Sequence, residues 1–395
     1  MSKLDSSAEL VKLGQLLHTP SSELQFLEGI SLETLIKVRE LSTDKLFNDG
    51  SKLFHKLAAA SKLLPLGVTA SLGEKIFGPM LCARIASQMP YPRAIDLAKK
   101  MSTPFLAKVT LELDPRRVKD IIQNMPLENL QAVATELLKH KHYMVMGRLV
   151  NFMTASNLKV ILNGINSEEA LLHIGFFIEG KHQLSDIIRL LPKERLKTLI
   201  GYLQLHTELW PEALALMVHL EDDLKREMGD ISAELGKTVL NSLVSSVYER
   251  QLWQDALPLF ANMSPSAQLQ LINTATLNDP AVLKSALEST DKFGLWATLL
   301  PLVEYMSDSQ QKILAELLMA ERDDLQVRFL EAAYHHHLWQ PLFDIIRLLS
   351  DEQQHTISIR FRHLADKEPQ LAERWQPIAI ERGLAHLFSS RLQLR

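Results

Sequence analysis

Apolar positions recur at spacings of three and four along almost the whole chain, as in Leu196, Leu199, Ile200 and Leu203. That spacing places apolar side chains on one stripe of a helix. Period-two alternation is nearly absent, and no two alternating runs are joined by Asn-Gly or Asp-Gly, the usual hairpin signal. Asn48-Asp49-Gly50 follows a helical run and reads as a helix stop. The pattern predicts an all-α chain with no β-sheet.

A longer period lies over the helical one. Leu-Trp pairs stand at Leu209-Trp210, Leu252-Trp253, Leu295-Trp296 and Leu338-Trp339, each 43 residues after the last. Ten residues beyond each tryptophan comes Leu220, Met263, Met306 or Leu349. The last three are followed by Ser264-Pro265, by Ser307 with Gln310, and by Ser350 with Gln353. Serine with glutamine three residues on is a capping box, and proline suits the first helical position. Each unit thus predicts a helix starting near the Leu-Trp pair, a sharp turn and a newly capped helix. Further helical sequence, such as Asp323 to His337, completes it.

The N-terminal half carries shorter corners. Asp96 to Met101 precedes Ser102, Asp120 to Met125 precedes Pro126, Asp186 to Leu191 precedes Pro192, and Met153-Thr154 reads as another. The corners fall 24, 28 and 38 residues apart. Twenty-four residues hold a helical pair, given a rise of about 1.5 Å per residue. Both halves read as variants of one stacking unit, with an extra helix per unit toward the C-terminus. Stacked units bury a continuous core between neighbours. The expected fold is a right-handed α-solenoid. Its expected divisions are an N-terminal helical cap (1–55, with Ser31 capping a helix), an apolar connector (56–90), short repeats (91–205), 43-residue repeats (206–371) and a C-terminal cap (372–395) in which Trp375 leaves the register.

The corners Leu191-Pro192-Lys193-Glu194-Arg195-Leu196 and Met125-Pro126-Leu127-Glu128-Asn129-Leu130 resemble the Leu-Pro-x-Glu-x-Leu turns of short helical repeats. Such repeats occur in the cytoplasmic N-terminal domain of MgtE-type magnesium transporters and in the flagellar rotor protein FliG. The resemblance spans roughly residues 90–205 and implies a short-repeat helical fold. The chain departs from the transporters in having no membrane domain and fewer acidic side chains, so transport and magnesium sensing are not implied. The 43-residue half is similar in period to HEAT and armadillo repeats.

Composition narrows the functional classes. Hydrophobic residues are 46% and charged ones 23%, enough apolar content for a core. The formal charge of −4 argues against phosphate-driven nucleic-acid binding. One cysteine, Cys82, and an N-terminus without a secretory pattern lead to the expectation of a cytoplasmic protein. No uncharged apolar run reaches the length of a membrane span. The nearest, Leu57 to Met89, is interrupted by Lys62, Pro65, Glu74, Lys75, Pro79 and Arg84. It reads as a tightly packed helical pair or as a peripheral membrane or partner contact.

Nucleophile-elbow, P-loop, dinucleotide and zincin motifs are all missing, so no catalytic residue, metal or cofactor is expected. Consecutive His335, His336 and His337 point about 100° apart on a helix and cannot share one ion. They read as a polar helix end, and His140 with His142 as a solvated turn. Cys82, within an apolar helical stretch, reads as an inert buried thiol. Trp210, Trp253, Trp296 and Trp339 read as inter-repeat packing rather than exposed anchors. Arg93, Arg116, Arg117, Lys139, Lys141 and Arg148 are the candidate binding residues, as a basic strip toward an acidic partner or anionic lipid. The expected function is a non-catalytic protein-interaction scaffold or regulatory adaptor. The alternative is a peripheral membrane or lipid-associated protein using residues 57–89 and the basic strip.

Overall fold

A computed structural model describes residues 3–320, 328–329, 331–333, 335–367 and 369–385. Among them the chain is helical throughout, with no strand. No described helix is long and apolar enough to cross a membrane. The chain forms two compact units, Met1–Leu196 and Lys197–Arg395. The expected cap, connector and first short repeats all lie within the first.

The N-terminal unit opens with α1 (Lys3–Leu17) packed on α2 (Leu32–Asn48) around Leu10, Leu13, Leu24 and Leu35. Ser31 caps α2, its Oγ accepting from Thr34 N–H at 3.3 Å. After α2 the chain turns at Gly50, whose φ of 79° is left-handed and suits a residue without Cβ. There follow α3 (Ser51–Ala60), α4 (Leu66–Leu72), α5 (Gly78–Ala86), α6 (Tyr91–Ala98), α7 (Thr103–Leu111), α8 (Lys119–Asn124), α9 (Leu127–Lys139), α10 (Tyr143–Val150), α11 (Ala155–Gly164) and α12 (Glu168–Phe176). The expected corners fall at helix breaks: Ser102 before α7, Pro126 before α9, and Thr154 capping α11 through Asn157 N–H at 3.3 Å. Packing skips one helix at a time. One row runs α3, α5, α7, α9, α11, and a second runs α4, α6, α8. Farther along, α10 meets α12, where Gly147 permits close approach: a Cβ there would sit 2.5 Å from Ile174 O.

Buried charges tie the N-terminal hairpin to α10 and the segment after α12. Glu9 binds Lys12 Nζ at 2.7 Å and Arg39 Nε at 2.8 Å. Glu179 binds Arg39 Nη1 and Arg148 Nε, each at 3.2 Å. Burial pushes the neighbouring Lys181 ammonium down to about 8, against a partly compensating pull from Asp5.

In the C-terminal unit the four helices that begin at tryptophan stack in sequence: Trp210–Met217, Trp253–Asn262, Trp296–Val303 and Trp339–Ile346. All four indoles are buried. Trp210 and Trp253 donate Nε1–H to Ser242 and Ser285 Oγ, both at 2.9 Å and both 32 residues on. Position 328, the next in that series, is Arg328, which instead clamps Asp291 at 2.6 and 2.7 Å. Trp296 Nε1 accordingly has no partner among the described residues, while its ring packs edge-on to Phe329. Trp375, out of register, is buried against Trp339 and Phe343.

Other polar positions share the 43-residue period. Both capping boxes form: Ser307 N–H reaches Gln310 Oε1 at 2.9 Å, and Ser350 N–H reaches Gln353 Oε1 at 3.0 Å. Buried Gln268, Gln311 and Gln354 donate Nε2–H to carbonyls that end the preceding tryptophan helix or follow it, such as Ala261, Val303 and Leu349. Carbonyls at a helix's C-terminal end lack the usual partner four residues on, so a buried amide there lowers a desolvation cost. Before each of the last three Leu-Trp pairs stands a left-handed residue, Gln251, Gly294 or His337. The leucine after it donates back five residues, to Val247, Thr290 or Ala333 O. This is the Schellman ending of a helix, where glycine is the favoured residue. Replacing His337 with glycine is therefore expected to raise stability by about 1 kcal/mol, read as a higher urea midpoint with unchanged slope. Of the expected helix Asp323 to His337, residues 323–327, 330 and 334 lie outside the described set, as do 386–395 of the C-terminal cap.

Candidate functional site

The two rows of the N-terminal unit do not close on each other. Between them runs a cavity of about 270 Å³, walled by residues from Leu57 in α3 to Ile174 in α12. The apolar residues at three of the four short corners face it, Met101, Met125 and Met153, joined by Met89 and Met146. Flexible thioether chains let such a wall fit guests of different shape. Leucine, isoleucine, valine and alanine supply most of the rest.

Polar groups in the wall are few and mostly engaged. Ser61, Thr69 and Thr110 hydroxyls donate to carbonyls of their own or the adjoining helix, those of Ala58, Pro65 and Leu106, at 2.7, 3.1 and 2.8 Å. The Cys82 thiol is pushed up to about 11 by burial and by Glu74, which keeps it protonated and unreactive near neutrality. The Asn129 carboxamide is the remaining hydrogen-bonding group, and it bonds no described side chain or backbone group. Among the described residues no carboxylate, imidazole, ammonium or guanidinium lines the cavity.

Among the described wall residues two are exposed, Ala60 at the end of α3 and Leu64 in the turn that follows it, and these two place the cavity's mouth between α3 and α4. Arg93 holds this turn, its Nη2 donating to Ser61 O and, at 3.2 Å, to Leu64 O. The expected apolar connector is thus three short helices, α3 to α5, with inner residues that face the cavity.

The other basic candidates are spread over separate partners. Arg116 and Arg117 converge on buried Asp114 and on Asp44 of α2, the latter at 3.1 and 3.2 Å. Arg117 also faces the Phe47 ring, with Arg84 on it at 3.8 Å. Lys139 lies 3.8 Å from Glu136, Lys141 lies 3.3 Å from Glu169, and Arg148 binds Glu179. His140 accompanies Lys139 at Glu136, 3.1 Å away. His337 is the left-handed helix end described above. No group of three or more His, Cys, Asp or Glu among the described residues is arranged to hold a metal ion.

The cavity was not foreseen from sequence, although a signal existed: methionine recurs at the short corners, where leucine would have packed as well. Comparison of the chain with known protein families, with curated protein sequences and with solved structures finds no match.

Proposed function

We propose that this chain is a non-catalytic binding protein whose N-terminal unit holds the hydrocarbon chain of a lipid. One observation carries the reading: a cavity of about 270 Å³ with an almost wholly apolar wall. An enclosed apolar cavity of about 150 Å³ already binds benzene. A bound hydrocarbon chain buries its own apolar surface and that of the wall from water. The wall offers no charged group to a polar substrate, and Asn129 supplies one amide for a carbonyl or hydroxyl on the guest.

Of the two functions expected from sequence, this lies nearer the lipid-associated one, which is read from residues 57–89 and a basic strip rather than from a cavity. The protein-scaffold reading has no single feature of comparable size behind it among the described residues: its large exposed apolar residues in the C-terminal unit, such as Leu205, Leu269 and Phe293, lie on different helices.

The test is uptake of the neutral dye N-phenyl-1-naphthylamine, followed by its fluorescence and displaced by oleic acid. Ala98→Leu with Ala134→Leu adds bulk inside the cavity from α6 and α9. Expected results are saturable uptake by the native protein, about tenfold weaker uptake by the filled variant, and a melting midpoint no lower than native. Native protein that takes up no dye, or a folded filled variant that binds it equally well, would overturn the reading.

A further inference from the structure

The turn at the cavity mouth also carries the most exposed large apolar side chain among the described residues. Leu63 is 86% exposed, and Ile76, in the turn after α4, is 69% exposed. Val68 and Met80 are exposed in the same stretch. The helix between the two turns, α4, has seven residues and is about 10 Å long, so both turns fit within the footprint of a few lipid headgroups. Their inner neighbours Leu64, Leu72 and Phe77 face the cavity.

Charge on this stretch is mostly positive. Lys52, Lys56, Lys62 and Lys75 are exposed, and none forms an ion pair with a described residue. The single carboxylate between residues 51 and 89 is Glu74, whose Oε1 accepts the Ser102 backbone N–H. Exposed leucine and isoleucine interleaved with unpaired lysine is the composition of surfaces that lie on anionic bilayers. The basic strip expected from sequence is largely paired with carboxylates, whereas these four lysines are not.

We propose that the segment from Lys52 to Met80 docks on an anionic lipid membrane, with Leu63 and Ile76 entering between headgroups and the lysines meeting lipid phosphates. The proposal rests on the lipid reading of the cavity for what docking delivers. A water-insoluble guest requires a donor or acceptor surface at the mouth, and the mouth lies at Ala60 and Leu64, beside Leu63. Arg93 is a positioning residue here, because its bonds to Ser61 and Leu64 carbonyls fix the turn that presents Leu63.

Flotation with vesicles at low salt tests the proposal, using the full chain. Native protein is expected to float with mixed phosphatidylcholine–phosphatidylglycerol vesicles and far less with phosphatidylcholine alone. Leu63→Ser with Ile76→Ser removes the inserting side chains, and Lys62→Glu with Lys75→Glu reverses charge. These four side chains lie outside the cavity wall, so both variants keep the native melting midpoint and dye uptake. Each is expected to lose about tenfold or more in vesicle affinity. Native protein that does not float, floats equally with neutral vesicles, or floats as well after either pair of substitutions would overturn the docking face. Dye uptake without flotation removes the docking face alone. Flotation lost in both variants but without dye uptake by native protein supports the docking face and removes the cavity reading.

Discussion

Replacing Trp253 with alanine is expected to destabilise the C-terminal unit by about 3–5 kcal/mol. The indole is 1% exposed, and its helix packs between those of Trp210 and Trp296. Truncation removes apolar surface from two neighbouring repeats at once and opens a void that the flanking helices cannot collapse into without shifting. It also strips Ser285 Oγ of the indole donor, though that hydroxyl keeps its bond to Gln251 Oε1 at 3.1 Å. Trp253→Phe should cost distinctly less, since it keeps most of the ring volume and loses only the hydrogen bond and part of the area. Urea unfolding followed by circular dichroism distinguishes the two. An alanine variant with the native midpoint would mean that the Leu-Trp period does not wedge the repeats together.

The second large effect is expected at Glu9. Glu9→Gln removes a buried carboxylate from between Lys12 and Arg39, whose side chains are 3% and 8% exposed. Arg39 retains Glu179, but Lys12 is left as a buried cation beside a guanidinium. Breaking a buried pair from one side costs about 3–5 kcal/mol because the orphaned charge stays desolvated. Acid should erase the difference between native and variant. Burial alone would raise the Glu9 carboxyl, but Lys12 and Arg39 together outweigh it and hold the group below its ordinary value. A depressed carboxylate contributes stability above its unfolded value, about 4.3, and loses it as pH falls through the lower folded value. The gap in unfolding free energy should therefore be constant around neutrality and narrow below about pH 4. A gap that widened in acid would show that Glu9 is not held ionised by these neighbours.

Much of the fold was legible because it is encoded locally. Helical periodicity, the Ser31 cap, the Ser307 and Ser350 capping boxes and the Gly50 stop each depend on residues within one or two turns of one another. The tryptophan period was legible for a related reason: identical environments recur when identical segments stack, so spacing alone implied burial. Even the exception at Trp296 follows from a single residue, Arg328 where the preceding repeat has Ser285.

What only the tertiary structure decided is where separated segments meet and where they fail to. Arg116 and Arg117 read as part of a basic strip until Asp44, some seventy residues earlier, is seen between them. Arg39 and Glu179 carry no sequence signal for one another. The cavity is the strongest case, because Met101, Met125, Leu149 and Ile161 have the same chemistry whether they fill a core or wall a void. A void arises when two rows of helices are held apart by their corners and caps, and that distance is a property of the assembled rows rather than of any residue in them.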